Sequence, residues 1–328
     1  MFKYILKRIG ISILILLGVS LILYILLRCM PTDFVEQKIL ALYTAGVDVS
    51  PEFIEEMYKS YGLNGTILEG YFSWLWNFVR LDFGTSFISH REVLSDIFNP
   101  GRLGTSFYVA AIATVFEFLI AIPLGITAAT HQYSFIDYLV TVLVLIGISL
   151  PSFFFGQMLK DLFANKLGWF PVSGMGDKTV SLTGTAAFID YLRHMFLPIL
   201  TVVILSIGGR MRMTRTNMLE VMNADYIRTA RAKGLSEGKV IYKHAFRNTL
   251  IPIVTGLAGL IPSLFSGAMI TETVFDLEGI GKYALNAMTQ GDIPVIMTYN
   301  MFLAFLSVLG VLMSDLMYGI VDPRVKLA

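Results

Sequence analysis

Six stretches of roughly twenty residues with almost no charge divide the chain: 9–27, 103–130, 136–159, 195–213, 250–271 and 299–320. A helix needs about 20 apolar residues to cross ~30 Å of hydrocarbon, and only a helix or a closed barrel satisfies its backbone there. The expected fold class is therefore an all-α integral membrane protein with six transmembrane helices. The fourth stretch is the weakest, because Arg210 leaves only about fifteen uncharged residues ahead of it. Without it the count is five.

Charge placement tests the count. The 25 Lys+Arg and 24 Asp+Glu nearly cancel, so their distribution carries the information. Lys and Arg accumulate on the cytoplasmic side, and Lys3, Lys7 and Arg8 put the N-terminus inside. Six spans then put 210–247 inside too, with nine Lys/Arg against three Asp/Glu, as well as the tail carrying Arg324 and Lys326. The segment 31–102, placed outside, has five basic and ten acidic residues. Both termini cytoplasmic is self-consistent.

The N-terminal "MFKYILKR" followed by nineteen uncharged residues has the order of a signal peptide. The apolar run is longer than a usual signal core, and Arg28 sits where cleavage needs a small side chain, so it reads as a retained anchor. Cys29 is the only cysteine, which excludes an internal disulfide and a cysteine-based zinc site, and four scattered His give no ligand spacing. No metal site is expected.

The outer segment is too long for a mere connection. "SPEFIEEMYKSYGL" reads as a helix with Ser50 at N-cap and Pro51 at N1. Trp74, Trp76 and Phe78 form either an interfacial aromatic belt or the face of a small outer domain that touches a partner. "LPSFFFG" (150–156) recurs as "IPSLFSG" (261–267), each inside an expected span. The prolines predict kinks, and Ser152 and Ser263 become pathway candidates; the alternative is two unrelated kinks with small packing residues.

A phosphate-binding loop needs G-x-x-x-x-G-K-[ST], whose spacing curls backbone N–H groups around phosphate and whose hydroxyl holds magnesium. "GLSEGKV" has three residues between Gly234 and Gly238 and Val240 in the hydroxyl position. The chain is not expected to hydrolyse ATP. Glu117 and Asp315 are carboxylates inside expected spans, each costing about 2.5–3.5 kcal/mol to insert at a helix centre. They suit either a pathway or an interhelical hydrogen bond; a proton-coupled secondary transporter centred on Glu117 is the competing class. No Lys or Arg is expected well inside a span.

The basic segment is punctuated as well as charged. Asn223 is placed to cap a short helix, Asp225 to favour its N-terminal end and Gly234 to close it, with Ser236 capping the next helix. On that helix Tyr226, Ala230 and Lys233 share one face, and Ile227, Arg228 and Arg231 the next. Ala230 and Ala232 keep its surface thin. Anionic lipid would want large apolar side chains, and nucleic acid would want aromatic stacking or a recognition fold. A groove on a protein partner fits more of the pattern.

"DYIRTARAKGLSEGKVIYKHAFRNTLIPIV" (225–254) resembles the signature loop of the inner-membrane permease subunits of ABC importers, in the oligopeptide, dipeptide and nickel branch. "RLDFGTSF" (80–87), "ETVFDLEGIG" (272–281), "GDIPVI" (291–296) and "DPRVKL" (322–327) agree in order, so the resemblance covers essentially the whole chain. It departs at Arg228-Thr229-Ala230, where the broader importer consensus has Glu-Ala-Ala, and at Glu278, where many relatives have proline.

The resemblance implies three parts: an N-terminal anchor (1–30), an extracellular segment (31–102) and a core transmembrane domain (103–328). It implies a coupling helix made of Asp225, Tyr226, Arg228, Ala230, Arg231, Ala232, Lys233 and Gly234, seated in a groove of a cytoplasmic ATPase subunit. The implied partners are a second homologous permease, two ATPases and an extracellular solute-binding protein, with membrane lipid around them and no nucleic acid. This chain then needs no cofactor of its own, ATP and Mg belonging to the ATPases, and it sits in a bacterial or archaeal cytoplasmic membrane. The implied cargo is an oligopeptide or dipeptide, with nickel, glutathione or an oligosaccharide as alternatives.

Overall fold

The computed structural model describes residues 2–30, 33–177, 182–256 and 259–321. Among them it is helical throughout, apart from one isolated antiparallel bridge between Thr85 and Glu92. The first long helix, α1 (Phe2–Arg28), is followed by three short ones, α2 (Phe34–Thr44), α3 (Pro51–Ser60) and α4 (Ile67–Val79), and then by α5 (Val93–Ile97) and the long α6 (Pro100–Thr130). Next come α7 (Phe135–Ser149), α8 (Ser152–Leu159), and the longest helix, α9 (Gly184–Met222). The chain ends with α10 (Asp225–Ala232), α11 (Phe246–Gly256), α12 (Leu260–Ser266), α13 (Met269–Val274), α14 (Ile280–Gln290) and α15 (Ile293–Val321).

Four segments are long and apolar enough to cross a membrane: Lys7–Arg28, Val93–Thr130, Gly184–Met222 and Ile293–Asp315. The expected third span is a bent pair, Phe135–Gly147 with Ser152–Lys166, turned by 99°. The break is local chemistry: Leu150 precedes Pro151, whose ring disfavours the helical region for it, and Leu150 is extended at φ −84°, ψ 132°. The expected fifth span is divided into α11, α12 and α13, with Gly267 at φ +70° closing α12. The kinks expected at the prolines of 136–159 and 250–271 are thus full breaks between separate helices. The "DPRVKL" stretch lies outside the described residues.

The most extensive helix contact is between α6 and α9. The buried residues of α6 include Thr105, Val109, Ala113, Glu117, Ala121, Gly125 and Ala129, a four-residue repeat that keeps small side chains on one stripe. Small residues let helix backbones approach in a membrane, where apolar burial alone gives no advantage over lipid. At Gly125 the approach is closest: a Cβ there would lie 2.7 Å from Thr214 Cβ and 2.8 Å from the Met211 carbonyl oxygen.

Arg210 lies on α9 within this contact and is mostly buried. Its Nε donates to Glu117 Oε1 at 3.0 Å. The charge that weakened the fourth apolar run is compensated from a helix 93 residues away in sequence, and α9 continues through it. The 31–102 segment packs on α1: Tyr71 and Trp74 of α4 meet Tyr24, while Trp76 is exposed beneath Arg80. Ser50 and Pro51 start α3 as the sequence indicates, Ser50 Oγ accepting from Phe53 N–H.

The α6–α9 contact makes a direct prediction. Gly125→Ala should cost about 1–3 kcal/mol through overpacking. Gly10→Ala in α1, where nothing lies within 4 Å of the new methyl, should leave stability unchanged or slightly raised. Thermal denaturation of the two variants in detergent checks this, and equal midpoints would overturn the contact.

Candidate functional site

Two polar regions and one surface helix are organised around α6. At its N-terminal end Ser106 Oγ donates to Glu272 Oε1 at 2.6 Å and accepts from Ile280 N–H at 2.9 Å. Glu272 is fully buried and also accepts from the N–H groups of Ala268 and Lys282. The "ETVFDLEGIG" stretch is therefore a loop wrapped on its own carboxylate, and a Cβ on Gly279 would fall 2.3 Å from Glu272 Oε2.

Neighbouring stretches join this cluster. Asp292 of "GDIPVI" is buried and accepts from Ser86 Oγ at 2.6 Å and from Ile88 N–H, which ties "RLDFGTSF" to the start of α15. Asp96 accepts from Ser89, Arg102 and the Tyr283 hydroxyl, and the Arg102 guanidinium lies over the Tyr283 ring. Burial first, and then the Asp96 charge, push the Tyr283 pKa upward, so the phenol keeps the proton it donates. Sequence reading found these stretches but not their carboxylates' roles. An acidic residue within the apolar run "AMITETVF" was the available signal.

At the other end of α6, about 30 Å away at 1.5 Å per residue between Ser106 and Ile126, sits α10. Its fully buried Ile227, together with Ala230, packs with Ile126, Ala129, Met218 and Val240. Tyr226, Arg228, Arg231, Ala232, Lys233 and Gly234 are exposed, as is Asp225. The helix has an acid, Asp225, in its first turn and a base, Arg231, in its last, both favourable to its dipole. Gly234 at φ +76° takes the left-handed conformation that ends it.

Three local expectations change. Ala224, not Asn223, is the N-cap; α9 runs on to Met222, and the Asn223 amide donates to the Leu219 carbonyl at the end of that helix. The helix is eight residues long, not about ten. Tyr226 and Lys233 face solvent while Ala230 is buried, so these three do not form one free face. Arg231 makes a two-contact ion pair with Glu237, at 2.9 and 3.3 Å, and Ser236 precedes the next helical turn, its carbonyl accepting from Val240 N–H.

The pathway candidates separate. Glu117 and Ser263 line one cavity of about 430 Å³ between α6, α9, α11 and α12. Asp315 lies elsewhere, in a crevice between α1 and α15, where it pairs with Arg8 at 2.7 Å. Ser152 is half-buried at the first position of α8, after the Pro151 break. A residue missed altogether is Arg215, which holds Asp137 of α7 through two hydrogen bonds at 3.0 and 2.9 Å.

A bundle of apolar helices, with a cavity lined by charged residues and a short basic helix on the surface at one end, defines a multi-span membrane protein. The comparisons give that class a family. Residues 121–327 match the model of the binding-protein-dependent transport system inner membrane component, and residues 1–109 match the N-terminal region of such membrane components. The chain belongs to this family of inner-membrane permeases.

Similar proteins include the oligopeptide transport system permease AppB of Bacillus subtilis, 36% identical over 99% of this chain and 100% of that one. The dipeptide transport system permease DppB of Escherichia coli K12 is 33% identical over 99% of both chains. A chain of the MetNI methionine ABC transporter in inward-facing form shares the fold, with a TM-score of 0.53 and 17% identity over 69% of this chain and 96% of that chain. The chain is thus a permease subunit of a binding-protein-dependent transport system.

The buried Glu272 supplies a test. Glu272→Ala leaves Ser106 and the Ala268 and Lys282 N–H groups without their acceptor and should cost about 1–3 kcal/mol. Glu272→Gln, which keeps an acceptor oxygen, should cost less. Protease resistance of the 272–281 loop in the detergent-solubilised protein reports the order; a Gln variant as labile as Ala would count against the carboxylate as organiser.

Proposed function

We propose that this chain is a permease of an ATP-driven peptide importer and that α10 is its coupling helix. The observation that carries the reading is the geometry of α10. A buried Ile227 anchors it, Gly234 ends it in the left-handed conformation, and among the described residues its basic outer face is paired only with Asp225 and Glu237. Such a helix suits a groove on a soluble partner. Of the residues implied in coupling, Tyr226, Arg228, Ala232 and Lys233 offer contact, while Ala230 acts from within by letting the helix sit close to α6 and α9.

In this reading the chain crosses the membrane six times with both termini cytoplasmic. The spans are α1, α5 with α6, the bent α7–α8 pair, α9, the broken α11–α13 segment and α15. The 31–102 segment and α14 lie outside, and α10 lies inside. A second homologous permease completes the pathway, two ATPases bind ATP and Mg, and an extracellular solute-binding protein delivers the cargo. Oligopeptide or dipeptide cargo is supported by what the similar permeases are named for. Glu117 is engaged by Arg210 rather than standing alone in the cavity, which favours ATP drive over a proton-coupled site centred on it.

Reversing the exposed charges with Arg228→Glu/Lys233→Glu should leave insertion and assembly intact and lower ATP-dependent peptide uptake about tenfold or more, as loss of one to two charge-assisted contacts implies. Gly234→Pro should do the same through the backbone, because proline cannot adopt φ +76°. Uptake equal to wild type in both variants removes the coupling assignment. ATP turnover by the purified chain alone would sink the subunit reading itself.

A further inference from the structure

The two ion pairs on the long helices are built differently. Arg215 and Asp137 use two parallel hydrogen bonds, and Asp137 Oδ2 also accepts from Tyr133 N–H, so this pair is a closed clamp. Arg210 and Glu117 share one, from Nε to Oε1. Among the described residues, neither Nη of Arg210 nor Oε2 of Glu117 has a hydrogen-bond partner. Both side chains are mostly buried, at 15% and 11% exposure, yet both line the 430 Å³ cavity.

A purely structural pair in a membrane helix gains by saturating its donors and acceptors, since each polar group left open in a low dielectric is costly. This pair is left open on the cavity side. The guanidinium is held in plane by Nε and rests over the Phe118 ring at 4.5 Å, so its two Nη groups are fixed as a fork. Such a fork matches a carboxylate, and the free Oε2 accepts from an ammonium. The hydroxyls of Thr114, Ser206 and Ser263 and the bare backbone at Gly256 and Gly259 surround them. The cavity volume is in the range of small-molecule sites.

We infer that Arg210 and Glu117 form a station for a zwitterionic solute, Arg210 taking a carboxylate and Glu117 an ammonium group, as on the two ends of a short peptide. The solute's own charges complete the valences that the pair leaves open, so a charged molecule is accepted within the bundle without either protein charge being stranded. The inference deepens the transport reading and rests on it for the class of solute.

The single native cysteine makes the test direct. In a Cys29→Ser background, Ser263→Cys places one thiol on the cavity wall, and its reaction with a neutral maleimide is followed in the assembled permease–ATPase complex in lipid nanodiscs. Tri-alanine should slow the reaction about tenfold, the value of one or two charge-assisted contacts, while N-acetyl-tri-alanine amide should not. Glu117→Gln/Arg210→Gln, which leaves no stranded charge and keeps a side-chain hydrogen bond, should abolish the protection.

Equal labelling with both peptides, or protection that survives in the double variant, overturns the inference. ATP-dependent uptake of tri-alanine into vesicles by the complete transporter, measured alongside, separates the two readings. Uptake without protection overturns the station alone. Protection without uptake overturns the transport reading and leaves the station standing.

Discussion

The close approach of α6 and α9 is the contact on which the other parts depend. Lipid tails are as apolar as leucine, so two membrane helices gain little from burying large side chains against each other; they gain from backbone proximity and from polar groups that match. The α6 stripe of Thr105, Val109, Ala113, Glu117, Ala121, Gly125 and Ala129 offers both. Gly125 admits Thr214 and the Met211 carbonyl, and Glu117 neutralises Arg210. Once this pair is formed, its two ends become fixed platforms. At one, Ser106 of α6 holds Glu272 and the loop before α14, and the other receives Ile227 of α10.

Burial of carboxylates is the second organising device. Glu272, Asp292 and Asp96 each gather backbone or hydroxyl donors from segments far apart in sequence: Ser106 with Glu272 across 166 residues, Ser86 with Asp292 across 206, Tyr283 with Asp96 across 187. A satisfied buried carboxylate is demanding in geometry, and removing one partner strands the rest. Asp292 and Asp96 stitch the 31–102 segment to the helical bundle, and Glu272 ties the loop before α14 to α6, all without a disulfide.

The apolar runs were legible because hydrocarbon thickness acts on each span separately. The short helix at 225–234 was legible because Gly234 and Asp225 act on their own neighbours. What escaped had partners elsewhere. Arg210 weakened the fourth span only while Glu117 was unseen beside it, and Asn223 looked like a cap for α10 until α9 was found to reach Met222. Pro151 announced a kink but not a 99° turn, because the size of a break depends on what the two pieces pack against. Ile227 and Ala230, three apart and apolar, already marked the buried side of α10 as a local pattern. The cation-rich face drew attention away from it.

These features divide the chain into a stiff part and compliant ones, which bears on how a push at α10 would travel. Close-packed contacts such as Gly125 on Thr214 have little room to deform, so they move as a body or not at all. The contact of Ile227 with Ile126 and Met218 sets α10 on the ends of both α6 and α9, and displacement of α10 would carry that pair together with the Glu117–Arg210 cavity between them. The exposed break at Pro151 lies outside the pair, where backbone angles can change with few packed side chains to displace, whereas Gly267 sits tightly against Gly281 and the buried Glu272. In the proposed coupling, motion of the α6–α9 pair would shift one side of the cavity against the other, because α11 and α12 form the side that α6 and α9 do not.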